Sequence, residues 1–373
     1  MSDHIEEAQG SKNQSYLLLW IVPFIISCFS LLMILSVTGT RITGTGSTNL
    51  SIVMRQAVWF FAGLFAMIIV SIVPVRIWKR YSALMWIFGF LLTCATLTGF
   101  FGSAAGGAER WIRLWHIRVQ PLELLVMAIV LHLSKVLSRD EKLPVRSSFL
   151  KTCVIAVVSV IPLLLQPDMG GAILVFVITM AIFVMAKGWF YPLSFGFLAI
   201  PPFLYLIFRE GYRIRRYLAF TDPWREPLDS GYQVIQGLIA FANGGLLGRG
   251  IGKGFQKMRY LPAAHTDYIF ASVGEEFGLL GTSLILFLFL AWTLSIFRFY
   301  LRLTDEYDIL LLWGLSISIL LPLFINLAGI TKLLPLTGMP IPFLSYGGSS
   351  MLFSWIKVGV IISIVKKTRF DVS

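Results

Sequence analysis

The chain is 373 residues long, 57% hydrophobic and 13% charged, with a mean hydropathy of +0.80 and a formal net charge of +12. A soluble globular domain carries about 25% charged residues, so the composition excludes one and describes a protein whose main solvent is lipid. The Lys and Arg excess falls in short connectors between apolar runs, where membrane topology accounts for it, and no nucleic-acid partner is expected.

Residues 1–15 are polar and mildly acidic, without the basic leader or small-residue cleavage site of a signal peptide. They are expected to be a cytoplasmic tail ahead of a retained first helix. A helix needs about 20 apolar residues to cross the hydrocarbon core. On that length, about ten transmembrane helices are predicted, at 16–38, 52–73, 81–101, 121–137, 149–165, 172–186, 191–208, 268–297, 309–330 and 345–365. The fold class is all-α and polytopic, with one membrane domain over 16–366 and a cytoplasmic tail over 367–373. Cys28, Cys94 and Cys153 each lie inside an apolar run, in no disulfide or zinc spacing.

Orientation follows from the placement of Lys and Arg in short loops. With the N-terminus inside, the inner loops hold Arg76, Lys79 and Arg80, then Lys135, Arg139, Lys142, Arg146 and Lys151, then Arg298, Arg302, Lys366, Lys367 and Arg369. The short outer loops hold fewer: Arg41, Arg110, Arg113, Arg118 and Lys332. Both termini are therefore expected in the cytoplasm. Segment 209–265, between the seventh and eighth helices, becomes a large outer loop, although it carries Arg209, Arg213, Arg215, Arg216, Arg225, Arg249, Lys253, Lys257 and Arg259.

The candidate functional residues lie on that outer side. Arg55 lies at the outer end of the second helix, and Arg110-Trp111-Ile112-Arg113 precedes the fourth, followed by Gln120-Pro121-Leu122-Glu123. Arginine beside tryptophan either marks the membrane interface or forms a guanidinium fork for phosphate. Gln166-Pro-Asp-Met-Gly170 reads as a tight turn that needs no function. The glycine-rich run 243–254 either packs as an interfacial loop or offers its amides to an anion, without Walker spacing. Asp267 sits where this loop enters the eighth helix. It either caps that helix or, partly desolvated, serves as a general base. Glu275 and Glu276, two turns on, are expected to make a structural ion pair with a neighbouring Arg or Lys. Asn326, Lys332 and the run from Pro335 to Ser350 close the set. Three prolines within eight residues, Pro335, Pro340 and Pro342, forbid a regular helix there. Irregular backbone at membrane depth is tolerated where it is buried or lines a cavity, which favours a site wall.

With these motifs in view, the chain resembles the SEDS proteins (shape, elongation, division and sporulation), the group of FtsW, RodA and SpoVE. The resemblance runs from Arg55-Gln56 to Gly347-Gly348-Ser349-Ser350. It is carried most specifically by Gly231-Tyr-Gln-Val-Ile-Gln, Leu261-Pro-Ala-Ala-His-Thr-Asp-Tyr-Ile-Phe-Ala, Gly274-Glu-Glu-Phe-Gly and Pro340-Ile-Pro-Phe-Leu-Ser-Tyr-Gly-Gly-Ser-Ser. The segment 212–216, Phe220-Thr-Asp-Pro-Trp and Gln256-Lys-Met-Arg-Tyr-Leu-Pro look closer to the division branch. The resemblance implies a ten-helix fold in the bacterial cytoplasmic membrane that polymerises lipid II into peptidoglycan glycan strands. It implies an outward-facing site with Asp267 as general base, and a class B penicillin-binding protein transpeptidase and other divisome or elongasome membrane proteins as partners. A leaving pyrophosphate needs positive charge nearby, from side chains or a divalent cation such as Mg or Mn, and no other cofactor is implied. Arg55, Arg110 and Lys332 are the first candidates, then Arg213, Arg216 and Lys253, with Glu123 and Ser349 completing the substrate-binding set.

Three positions depart from the family pattern. Leu122 stands where the motif after Gln-Pro has serine, Val126 where a lysine follows the glutamate, and Glu109 where a basic residue is common. Each removes a polar or cationic group near the expected pyrophosphate site. Two other readings stay open at this level, a lipid II flippase or transporter and a non-catalytic scaffold for a penicillin-binding protein. Transport favours inverted repeats and mid-membrane sites, and neither pattern is evident. A scaffold would tolerate change at Asp267.

Overall fold

Proline and acidic residues set many of the helix starts. Pro74 and Pro144 stand immediately before α3 (Val75–Ala95) and α5 (Val145–Leu165), and Pro121 opens α4 (Pro121–Arg139) with Glu123 in its first turn. Asp168 caps α6 (Met169–Lys187) by accepting the Gly171 amide at 3.1 Å, and Asp305 caps α11 (Glu306–Ile330) through Asp308 N–H at 3.2 Å. The remaining long helices are α1 (Ser2–Gly39), α2 (Leu50–Ile72), α7 (Phe190–Arg209), α10 (Ile269–Tyr300) and α12 (Gly348–Phe370). The computed structural model describes residues 2–39, 50–98, 102–105, 108–114, 117–140, 143–209, 211–229, 231–256 and 260–370.

Helices cover the stretches expected to span the bilayer. Among the described residues, eight are long and apolar enough to do so: α1 from Gln14, α2, α4, α5, α6, α10, α11 and α12 to Lys367. α3 carries Arg76, Lys79 and Arg80 in its first turns, which shortens its apolar run, and the side chains of much of α7 fall outside the described residues. The chain is a multi-pass membrane protein. Its lipid-facing helices show this directly: α2 exposes Val58, Phe61, Phe65, Ile68, Ile69 and Ile72, whereas on α12 Trp355, Val358, Val360 and Ile361 are fully buried. α4, α11 and α12 form the centre, and Leu125, Val130, Leu311, Leu315, Trp355 and Ile361 are fully enclosed there.

Three features depart from a plain helix bundle. A small antiparallel sheet, β1 (Gly102–Ala105), β2 (Ala108–Leu114) and β3 (Ile117–Val119), joins α3 to α4, in order β1-β2-β3 with Ile112 opposite Val119 and Arg113 opposite Arg118. Alternation along β2 buries Ile112 while Arg113 stays exposed. The segment expected as one large loop contains α8 (Gly211–Thr221), a short 3-10 turn (Pro223–Arg225) and α9 (Tyr232–Gly244). Finally, α10 is broken at Gly278, where φ is +66°. The break frees the amides of Leu279 and Leu280, which the carbonyls of Gly245 and Leu246 take at 2.9 and 3.1 Å. The backbone of the glycine-rich loop is therefore stitched to the kink.

Candidate active site

Asp267 lies in a tight turn before α10, and main-chain contacts hold that turn. Ala263 adopts a φ of +51°, so that its carbonyl accepts the amides of Thr266 and Tyr268 at 3.0 and 3.2 Å. The N-cap position of α10 is Tyr268, so neither Thr266 nor Asp267 is the capping residue. Asn326 of α11 donates from Nδ2 to the Asp267 carbonyl (3.0 Å) and to the Met339 carbonyl (2.7 Å). The Ser345 hydroxyl donates to the Thr266 carbonyl (2.8 Å) and accepts the Ile341 amide (2.9 Å), while Tyr346 N–H donates to the His265 carbonyl (2.9 Å). The aspartate turn and the proline-rich segment are thus one unit. Gly338 (φ +77°) passes beside the carboxylate, and a Cβ there would stand 3.4 Å from Asp267 Oδ2.

Asp267 is half-buried and opens on two cavities. The larger, about 250 Å³, is walled by the starts of α4 and α6, the middle of α11, residues 337–342 and one face of α12. Pro322 of α11 lacks the N–H that the Ser318 carbonyl would otherwise receive one turn back, and both residues line this space. Two ion pairs are built into it. Arg110 Nη1 lies 3.6 Å from Asp168 Oδ1 while Nη2 donates to the Pro167 carbonyl at 2.9 Å, and the buried Nε has no protein acceptor. Lys357 of α12, 2% exposed, donates from Nζ to Glu123 Oε2 at 3.3 Å. The smaller cavity, about 90 Å³, is lined by Phe220, Gln233, Tyr268 and Lys332, with Asp267 and Gly338 forming the wall between the two. A carboxylate in this position can take a proton from a ligand on either side.

The expected site residues divide accordingly. Arg110 and Glu123 line the larger cavity and Lys332 the smaller one, with Asp267 in both. Ser349 supports the wall instead: its hydroxyl accepts the Gln120 amide at 3.0 Å and reaches the Arg118 carbonyl at 3.5 Å. Arg55 is exposed on α2 and lines neither cavity. Its neighbour Gln56, fully buried, makes the contact with the site loop, donating to the Ser345 carbonyl (3.3 Å) and accepting the Gly347 amide (3.1 Å). Lys253 is exposed on the glycine-rich loop, away from both cavities. Arg213 and Arg216 lie on α8, and their side chains fall outside the described residues, as does that of Glu109.

The glycine-rich loop follows the packing alternative, and it corrects the ion pair expected for Glu275. Its amides do not face an open ligand site. Glu275 takes the amides of Phe255 (2.9 Å) and Gln256 (3.0 Å), and Glu276 takes that of Gly252 (3.1 Å). Glu275 is accordingly solvated by amides, Asn243 Nδ2 among them at 3.4 Å, and not by the Arg or Lys partner expected for it.

Sequence reading missed Lys357 and gave Asp168 too small a part. The signal for the first was a lone lysine inside an apolar span, seven residues after Ser350 and three after Ser354, so that all three share one helix face. Asp168 caps α6 and also fixes Arg110. Asp168→Ala is expected to destabilise the fold by about 1–2 kcal/mol through loss of the cap, read as a lowered midpoint of thermal unfolding in detergent. A cavity of about 1330 Å³ lies among Arg76, Lys79, Asp308, Lys366 and Lys367, and Asp267 does not line it. Its size reflects open space between basic connectors.

Among the described residues, no three His, Cys, Asp or Glu side chains group to hold a metal. Two of the three carboxylates lining the larger cavity are matched to cations. This donor set does not fit a resident metal.

Comparison with known proteins places the whole architecture. The probable peptidoglycan glycosyltransferase FtsW of Geobacter sp. (strain M18) is 34% identical over 352 residues, covering 94% of this chain and 96% of the relative. The corresponding protein of Escherichia coli O6:H1 is 34% identical over 364 residues, covering 95% and 86%. Stage V sporulation protein E of Bacillus subtilis is 32% identical over 362 residues, covering 96% and 99%. Two solved structures share the fold. A chain of a peptidoglycan synthase complex superposes with a TM-score of 0.77 at 24% identity, over 94% of this chain and 97% of the other. Rod shape determining protein RodA of Thermus thermophilus does so with a TM-score of 0.70 at 21% identity, over 94% and 96%. The model of the FtsW/RodA/SpoVE cell cycle proteins matches residues 16–370, and the chain belongs to that family.

Proposed function

We propose that the protein is a peptidoglycan glycosyltransferase that polymerises lipid II into glycan strands, as the names of its curated relatives indicate for them. The observation that carries the reading is the placement of Asp267, held by main-chain contacts between two cavities that both contain a cation. A polymerase must bring two lipid-linked sugars together across one base, and this carboxylate has room on either side. In the step itself, Asp267 takes the proton of the acceptor's 4-hydroxyl as that oxygen bonds to the donor's anomeric carbon, with inversion. The anomeric carbon–oxygen bond to phosphate breaks, and undecaprenyl pyrophosphate leaves with the electron pair. Arg110, with an unpartnered Nε in the cavity wall, is the group placed to meet that charge. Lys332 serves the second cavity. A divalent cation, if one takes part, would arrive with the pyrophosphate, since the cavity's donor set does not build a site for it.

The site faces outward in this reading, with both termini cytoplasmic, because the short connectors richest in Lys and Arg, with Arg76, Lys79, Lys366 and Lys367 among them, lie away from Asp267. The partner is a class B penicillin-binding protein within the division or elongation machinery; a solved relative of this fold belongs to a peptidoglycan synthase complex. The test supplies purified protein in liposomes, with and without such a partner, with lipid II. Glycan strands are the expected product. Translocation of the lipid without polymer would replace the reading with transport. Arg110→Ala is expected to reduce polymer formation by about 10- to 100-fold, the scale of one lost charge-assisted contact to the leaving group, measured as initial rate on the same substrate.

A further inference from the structure

Glu123 opens a helix at the centre of the bundle, where a carboxylate needs a partner. Its own helix does not provide one: the residue three positions on is Val126, 1% exposed and apolar. The cation comes from across the bundle. α12 presents Ser350, Ser354 and Lys357 to the cavity on successive turns, and Lys357 reaches Glu123 at 3.3 Å. Of the described residues lining this cavity, Glu123, Asp168 and Asp267 are acidic and Arg110 and Lys357 basic. With every group ionised, the lining carries a single net negative charge; without Lys357 it would carry two, in the space that a pyrophosphate must enter.

We propose that Lys357 is a positioning residue of this cavity, cancelling the charge of Glu123 so that a polyprenyl-pyrophosphate substrate can bind, and that α12 thereby supplies the cation that α4 lacks at Val126. The proposal rests on the glycosyltransferase reading and adds to it a residue that acts through Glu123. It explains how the chain accommodates an apolar residue where its family pattern has a lysine: the charge sits on another helix and points at the same carboxylate.

The experiment compares four variants with wild type for lipid II turnover and for binding of undecaprenyl pyrophosphate, with thermal unfolding in detergent as the folding control. Lys357→Met is expected to raise KM about tenfold or more while kcat changes less than about threefold, the signature of lost ground-state binding. Lys357→Arg should hold KM within about threefold of wild type, because the charge is kept. Val126→Lys combined with Lys357→Met should also return KM to within about threefold, because a lysine one turn from Glu123 can pair with it. Glu123→Gln combined with Lys357→Met removes both charges and guards against misfolding from an unpaired buried carboxylate. It should bind undecaprenyl pyrophosphate at least about threefold more tightly than Lys357→Met alone, because the lining returns to a single net negative charge. Unchanged KM in folded Lys357→Met, or a relocated lysine that fails to restore it, overturns the proposal. A doubly neutral variant that binds no better than Lys357→Met alone also overturns it, since Lys357 would then contact the substrate itself. Wild type that makes no polymer would defeat the functional reading instead, a result separate from all four.

Discussion

Asp267→Asn is expected to abolish glycan-strand formation, a loss of about 10²- to 10⁴-fold in kcat, the range for removal of a general base, while the protein remains folded. The second half of that statement follows from how the turn is built. Its main-chain contacts are the Asp267 carbonyl with Asn326, the Thr266 carbonyl with Ser345, the His265 carbonyl with Tyr346, and two amides with the Ala263 carbonyl. An isosteric amide leaves all of these main-chain contacts in place and removes the carboxylate's charge and its capacity to accept a proton. Asp267→Glu should recover little, because an added methylene moves the carboxylate from its place beside Gly338. The measurement is strand length and rate from lipid II on a gel, with unfolding midpoints recorded for each variant. A folded Asp267→Asn protein that polymerises at the wild-type rate would remove the aspartate from the mechanism.

Asn326 supplies a complementary test at a distance from the chemistry. Its Nδ2 joins the aspartate turn to the Met339 carbonyl, so Asn326→Ala unties the base from the opposite wall without touching the carboxylate. Activity is expected to fall about 10- to 100-fold through misplacement of the base, with KM less affected than kcat. Equal losses in an Asp267→Asn background and in wild type would show that the two residues act independently, against this account.

How much of this was legible in the sequence depended on the kind of information each residue carries. Apolar length identifies a span without tertiary knowledge, so the long helices could be read from residue counts. The wall formed by residues 335–350 was equally readable, because prolines forbid a helix locally. Register about a helix axis is not local. Arg55 and Gln56 are neighbours in sequence, yet the roughly 100° between them turns one to the surface and the other to the site loop. Lys357 was hidden for the opposite reason: over a span of about 20 residues one lysine is averaged away among its apolar neighbours, and only the packing of α12 against α4 shows what it faces. The sheet over 102–119 escaped because its strands are short and carry a register shift between Ser103 and Ala104, which breaks the two-residue period. The glycine-rich loop was recognisable as anion-binding backbone, but the anions are Glu275 and Glu276 of the same chain.

That loop carries the largest expected stability effect. Glu275→Ala should destabilise the fold by about 2–4 kcal/mol, because the buried Gln256 amide loses its acceptor, at a cost of about 1–3 kcal/mol, and the half-buried Phe255 amide and Asn243 side chain lose theirs with it. Glu275→Gln keeps one acceptor oxygen and should lose about half as much. Gly248→Ala should act on the same joint from the other side. Gly248 has a φ of +77°, and a Cβ there would collide with the Glu276 carbonyl at the kink of α10. Thermal unfolding in detergent reads all three, and hydrogen exchange of residues 244–256 locates the change. If the loop were an idle surface segment, Glu275→Ala would leave both measurements at wild-type values. If it is the clamp its contacts describe, exchange should rise first in the loop and then in the adjoining part of α10 toward Asp267, because the carbonyls of Gly245 and Leu246 hold the amides that Gly278 sets free.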